Sequence, residues 1–192
     1  MIRASRILLA LIFGALPAGA AEAAELKAGV FEPARPAPEF SLPASDGSDL
    51  NLQRFRGKVV ILGFGFTSCP DVCPVTLAIL AQARRKLGAQ AHDLQIVYVT
   101  VDPERDDAEQ MRKYLAGFDP TFIGGTGTDK QLAAVREEYG IIAKKQVKGE
   151  NYTFAHSSYT YLIDRDGKLR ALMAYGHSAD DFAHDVRILL QE

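Results

Sequence analysis

"KVVILGFGFTSCPDVCPVTLAILAQARRKLG", Lys58 to Gly88, decides the fold. Its first nine residues are almost continuously apolar, as in a strand buried on both faces of a sheet. A short loop follows, holding Cys69 and Cys73, each directly before a proline. From Pro74 to Leu87 the pattern is helical: proline at the first helical position, Arg84, Arg85 and Lys86 in the last turn, and Gly88 just past the end. "LQIVYVTVD", Leu94 to Asp102, repeats the buried-strand character. Strand, helix and strand in that order make a right-handed parallel crossover.

Working outward, Asp107 to Ala116 reads as a helix ended by Gly117, and Thr128 with Gln131 forms a capping box for a helix reaching Tyr139. "SYTYLID" and "LRALMAY" are two strands joined by Asp164-Arg165-Asp166-Gly167, a hairpin. Ser178 caps a last helix that keeps Phe182, Val186, Leu189 and Leu190 on one face. On the N-terminal side, "FSLPASDGSDLNL" reads as two short strands around an Asp46-Gly47 turn. This order predicts an α/β protein, a thioredoxin-like sandwich with an N-terminal β-hairpin. "IIAKKQVKGENYTFAHS", Ile141 to Ser157, is a polar insert before the C-terminal hairpin and outside the minimal version of that fold.

The chain has 192 residues, 47% hydrophobic and 24% charged, which suits one domain with an adequate core. Residues 1–20 combine Arg3 and Arg6, an apolar run from Ile7 to Leu16 and the small residues Ala18-Gly19-Ala20, the three regions of a signal peptide. The run is short of the roughly 20 residues of a membrane span. Cleavage is therefore expected, with export to the periplasm; an uncleaved segment would tether the protein to the membrane. Without that segment 20 basic residues face 24 acidic ones, which gives no reason to expect nucleic acid as a partner. Residues 21–39, rich in Ala, Glu and Pro, read as an extended linker. The folded domain is expected over residues 40–192.

Cys69 and Cys73 are the only cysteines. Proline disfavours a helical conformation in the residue before it, so Cys73 is expected as the N-cap and Cys69 in the loop ahead of it. The helix dipole would then favour thiolate over thiol at both sulfurs. Three readings compete: a structural disulfide, a redox pair, and a metal site. Thioredoxin-like oxidoreductases space their cysteines by two residues and place a cis-proline opposite them. Here the spacer is three residues, no proline follows Pro120, and Ala155-His156 stands at the corresponding place. The fold would carry His156 over the first helix's N-terminus. Two thiolates and one imidazole make an open trigonal site for a thiophilic ion such as Cu(I) or Zn(II). His92, His177 and His184 read as surface or packing residues. Asp102 is at most a supporting neighbour, since "DPER" reads most simply as a turn. The lysine-rich insert is expected to be weakly protected and, without metal, to hold His156 away from the sulfurs.

"FTSCPDVCP", "VTVDPERD" and "AHSSYTYLIDRDG" together resemble the signature segments of the Sco/SenC family of copper-binding cytochrome c oxidase assembly proteins. The resemblance covers the chain from Phe40 to the C-terminus. It implies copper held by Cys69, Cys73 and His156, and delivery to the binuclear copper centre of cytochrome c oxidase. Partners would be the oxidase subunit carrying that centre and other copper chaperones or thiol reductases. Cys69 and Cys73 would also form a redox-active disulfide, and the alternative role is a thiol–disulfide reductase of exported proteins. A thiol peroxidase is a further alternative, because "FTSCP" resembles a peroxiredoxin segment, although the second cysteine is unusual there. One departure stands out: the family usually has Asp before the histidine, and this chain has Ala155. The resemblance implies weaker metal affinity or a shift toward thiol chemistry.

Overall fold

A computed structural model of the protein describes residues 25–192. The expected signal peptide lies outside the described residues. Among the described residues, no helix is long and apolar enough to cross a membrane.

The chain opens with β1 (Gly29–Pro36), then β2 (Leu42–Pro43) and β3 (Asp49–Leu50), which pair as the expected small hairpin. The crossover follows as β4 (Val59–Gly65), α1 (Val72–Leu87) and β5 (Leu94–Thr100). Next come α2 (Ala108–Ala116), β6 (Ile123–Gly125) and α3 (Asp129–Glu138). A hairpin of β7 (Ala143–Lys148) and β8 (Asn151–His156) precedes the C-terminal β9 (Thr160–Ile163), β10 (Lys168–Met173) and α4 (Ala179–Gln191). Six strands form the main sheet in the order β1-β10-β9-β4-β5-β6. This is the thioredoxin-like α/β arrangement that the sequence predicts.

β4 and β5 are buried along their whole lengths and run parallel, from Val59 opposite Leu94 to Gly65 opposite Thr100. Their unbroken apolar sequence is the consequence, since helices cover a parallel sheet. β9 runs antiparallel to β4, with Thr160 opposite Gly63. The start of β9 therefore lies beside the end of β4. That one register brings the residues before Thr160 to the cysteine loop.

Two expectations need correcting. Gly29 to Pro36, read as linker, is an edge strand paired with β10. Prolines are tolerated there because an edge strand need not donate on its outer side. Just upstream, the Lys27 and Ala28 amides donate to the fully buried Asp185 carboxylate at 2.8 and 2.9 Å, fastening the segment to α4. The polar insert is a hairpin in its own right, in register from Ala143 opposite His156 to Lys148 opposite Asn151. Gly149, at φ 62°, supplies the left-handed residue that its tip requires.

Candidate metal centre

The cysteine loop leaves the C-terminal end of β4, where open α/β sheets present their sites. Asp106, fully buried, anchors it: one carboxylate oxygen accepts from the Thr67 hydroxyl at 2.6 Å, the other from the Thr67 amide at 2.9 Å and the Thr100 hydroxyl at 2.6 Å. Cys69 is half-buried, and its amide donates to the Phe66 carbonyl at 3.3 Å. Cys73 is 1% exposed and lies inside α1, not at its N-cap. Asp71 holds the N-cap position, without a capping bond from its side chain. Pro74 is thus the third helical residue, still within the first turn, where a missing N–H goes unnoticed.

This placement overturns the expected thiolate at Cys73. Burial pushes its thiol up to about 12, outweighing the hydrogen bond it shares with the Tyr98 hydroxyl. A cation bound there would have to displace that proton, and would supply the opposite charge that burial denies. Tyr98, 2% exposed on β5, was not foreseen. Its ring lies across β4 because Gly63 and Gly65 leave room. A Cβ at Gly63 would come within 2.9 Å of that ring; one at Gly65 would overlap the Tyr98 hydroxyl and sit 2.8 Å from Cys73 Sγ. Glycines inside a strand mark such close approaches, the one signal that pointed here. Phe64 and Phe66, on the strand expected to be buried on both faces, are 3% and 1% exposed.

His156 ends β8. Its Nδ1–H donates to the Ser157 carbonyl at 2.9 Å, which leaves Nε2 as an acceptor for the Cys73 thiol, 3.5 Å from its Sγ. Burial holds the imidazole below its usual pKa, and so neutral. A ring nitrogen tied to a carbonyl with the other aimed at the site is the usual posture of a metal-ligating histidine. Metal–sulfur and metal–nitrogen bonds of about 2.3 and 2.0 Å, at tetrahedral to trigonal angles, set sulfur and nitrogen roughly 3.5–3.7 Å apart. The observed separation fits one ion between them. Cys69 is close enough to bear on the Cys73 thiol, but among the described residues no three His, Cys, Asp or Glu side chains enclose a common point. Cys73 is the residue that contacts both of the others, His156 and Cys69.

The other candidates fall away from this centre. Asp71 is exposed, His92 and His184 pair with the adjacent Asp93 and Asp185, and His177 faces Asp181 at 3.8 Å. Asp102 is fully buried, accepting from Arg105 and from the Tyr152 hydroxyl at 2.9 Å. A cavity of about 580 Å³ opens at the far end of β9, where Arg170 is already paired with Asp164 and Glu192.

A protein-family model described as SCO1/SenC matches residues 31–191. The "SCO2-like protein" of Rickettsia felis is 37% identical over 134 residues, which cover 68% of this chain and 65% of the relative. The chain thus spans just under two thirds of that relative's length. The solved structure of Bradyrhizobium japonicum ScoI with copper bound matches with a TM-score of 0.74 at 33% identity, covering 80% of this chain and 99% of the other. BsSco, described as a Sco-family cytochrome c oxidase assembly protein with a disulfide switch, matches with a TM-score of 0.68 at 27% identity, over 84% and 98%.

Proposed function

The chain belongs to the SCO1/SenC family, and from that premise we propose that it is a copper chaperone. It takes up one copper ion through Cys69, Cys73 and His156 and passes it to the binuclear copper centre of cytochrome c oxidase. The observation that carries this reading is the neutral imidazole whose Nε2 faces Cys73 Sγ at 3.5 Å, where an ion would replace the thiol proton between them. Two soft sulfurs and one imidazole suit Cu(I) and leave a coordination position open to an incoming ligand. The likeness to a copper-bound ScoI supports the choice of metal. Export to the periplasm, through the signal peptide expected over residues 1–20, would bring the site to partners such as the oxidase subunit and other copper chaperones or thiol reductases.

A second activity has its own support: two free thiols within interaction distance of each other, and the disulfide switch described for BsSco. Cys69 and Cys73 would join as a disulfide, passing two electrons to a partner's disulfide while their two protons go to its thiols. The oxidised pair offers no thiolate and releases the metal. In its strongest form this is the thiol–disulfide reductase of exported proteins.

Cu(I) titration of the reduced protein is the test, together with Cys69→Ala, Cys73→Ala and His156→Ala. One copper per chain is expected, with affinity lowered at least tenfold, the scale on which perturbed metal sites respond, in every variant. Equal binding by His156→Ala would remove the histidine from the ligand set. Disulfide turnover that survives His156→Ala, with oxidase maturation intact, would favour the reductase.

A further inference from the structure

β7 and β8 pair only with each other and stand outside the main sheet, so side chains must set the direction in which β8 carries His156. At the base, the Ser157 amide donates to the Ile142 carbonyl at 2.9 Å and the Ile142 amide to the Ser157 hydroxyl at 3.2 Å. Strand alternation puts Tyr152, Phe154 and His156 on one face. Phe154 and His156 both meet Phe66 edge-on, at centroid distances of 5.8 and 5.9 Å.

Tyr152 is held from several directions. Its hydroxyl donates to the buried Asp102 carboxylate at 2.9 Å, and its carbonyl accepts from Arg105 Nη1 at 3.2 Å. The Arg105 guanidinium carbon and the Lys145 ammonium lie 3.9 and 3.8 Å from its ring centroid. Lys145 in turn pairs with Glu104 at 2.6 Å. Every charged side chain of Asp102-Pro103-Glu104-Arg105 therefore engages the hairpin, where the sequence favoured a plain turn. The next residue, Asp106, holds Thr67 and with it the cysteine loop. One short segment after β5 grips both halves of the site.

We propose that Tyr152 and Arg105 are positioning residues for His156, latching β8 so that Nε2 faces Cys73. The latch touches none of the three ligands. It acts by fixing the strand on which the imidazole rides, and it rests on the ligand set proposed above. Asp102, buried with no exposure to water, needs the donors that Tyr152 and Arg105 bring, so the latch closes in one arrangement.

The test is a thermodynamic cycle on the full-length reduced protein, with Cu(I) affinity measured by competition against a chromophoric chelator. Tyr152→Phe, which keeps the ring and loses the hydroxyl, is expected to weaken binding about tenfold, as supporting residues of metal sites do. Arg105→Ala is expected to weaken it further, and Arg105→Lys, which keeps the charge but not the fork, to fall between. In a His156→Ala background none of these changes is expected to matter further. The dithiol–disulfide equilibrium of Cys69 and Cys73 against glutathione is expected to stay unchanged, which a general loosening of the fold would not allow. Hydrogen exchange at the amides of residues 152–156 is expected to quicken in Tyr152→Phe. Undiminished affinity in Tyr152→Phe, or an equal loss with and without His156, overturns the latch while leaving the ligand set intact. No loss in His156→Ala itself overturns the ligand set, and the latch with it.

Discussion

Sulfur and nitrogen reach the candidate site from two very different kinds of structure. Cys73 sits in the first turn of α1 against β4 and β5, 1% exposed, with Tyr98 behind it. His156 ends a two-stranded arm on which Val147 is 73% exposed and Ile142 63%. The first setting cannot move without disturbing the core. The second depends on a few polar contacts and two aromatic edges, so it belongs to the low-stability end of the local-opening spectrum. This asymmetry suits a carrier. On the ligand set proposed above, a buried sulfur would keep its grip, while the imidazole would be the ligand withdrawn when a recipient offers its own.

The sharpest way to break the contrast is to crowd the rigid side. Gly65→Ala would drive a methyl group into the Tyr98 hydroxyl and toward Cys73 Sγ. Overpacking of this kind costs about 1–3 kcal/mol, which for a chain of this size is roughly 3–10 °C in Tm. Copper affinity is expected to fall with it, because Cys73 must shift. Val147→Ala, at the exposed end of the arm, is expected to stay within about 0.5 kcal/mol of the parent and to bind copper normally. Thermal melts and Cu(I) titrations of the two variants check this. Comparable losses would mean that the arm and the core are one cooperative unit.

Proton release separates the two sides next. The Cys73 thiol, pushed up to about 12 by burial, is protonated at neutral pH, so an ion that binds it expels that proton. Apparent affinity is expected to rise about tenfold per pH unit for that proton, from pH 7 upward. His156, lowered by burial from its ordinary 6.5, has no proton to lose in this range. The sign reverses its role in acid: only as pH falls through its lowered value does the imidazole take up a proton and leave the ligand set. Affinities measured from about pH 5 to 9 are therefore expected to run parallel in the parent and His156→Ala above neutrality, and to steepen in acid only in the parent. Parallel curves throughout would mean that the imidazole does not titrate against the metal.

Much of the fold, and the approach of His156 to the cysteine loop, is legible in the sequence. The apolar runs at Lys58 to Phe66 and Leu94 to Asp102 allowed few folds, because so continuous a pattern needs helices on both faces. That topology alone predicts a meeting of Cys73 and His156. The missed features share a cause: they depend on side-chain direction, which periodicity does not carry. Helix α1 begins two residues earlier than Pro74 implies, and that small offset turns Cys73 from an N-cap into a buried thiol inside the helix. "GFGF" displays its phenylalanines, while the glycines do the work of admitting Tyr98. Ile141 to Ser157 reads as loop because the partners of Lys145, Glu104 and the Tyr152 ring, come together only after folding.

The smallest effect concerns Ala155, where the family resemblance leads one to expect an acid. Alternation along β8 puts residue 155 on the face opposite His156, exposed and paired across the hairpin with Lys144. A carboxylate there meets Lys144 first, and cross-strand pairs of opposite charge contribute about 0.2–1 kcal/mol. That steadies the arm slightly. Its direct pull on a cation at the site acts through water over something like 10 Å, roughly 0.4 kcal/mol before salt screens it. Ala155→Asp is therefore expected to raise copper affinity by about twofold or less, and to slow hydrogen exchange in the hairpin by a similar factor. The absence of the acid in this chain is then a minor change to its metal chemistry. A gain of tenfold or more would show that residue 155 reaches the ion, that β8 turns about its axis when copper binds, and that the arm is looser than its latch implies.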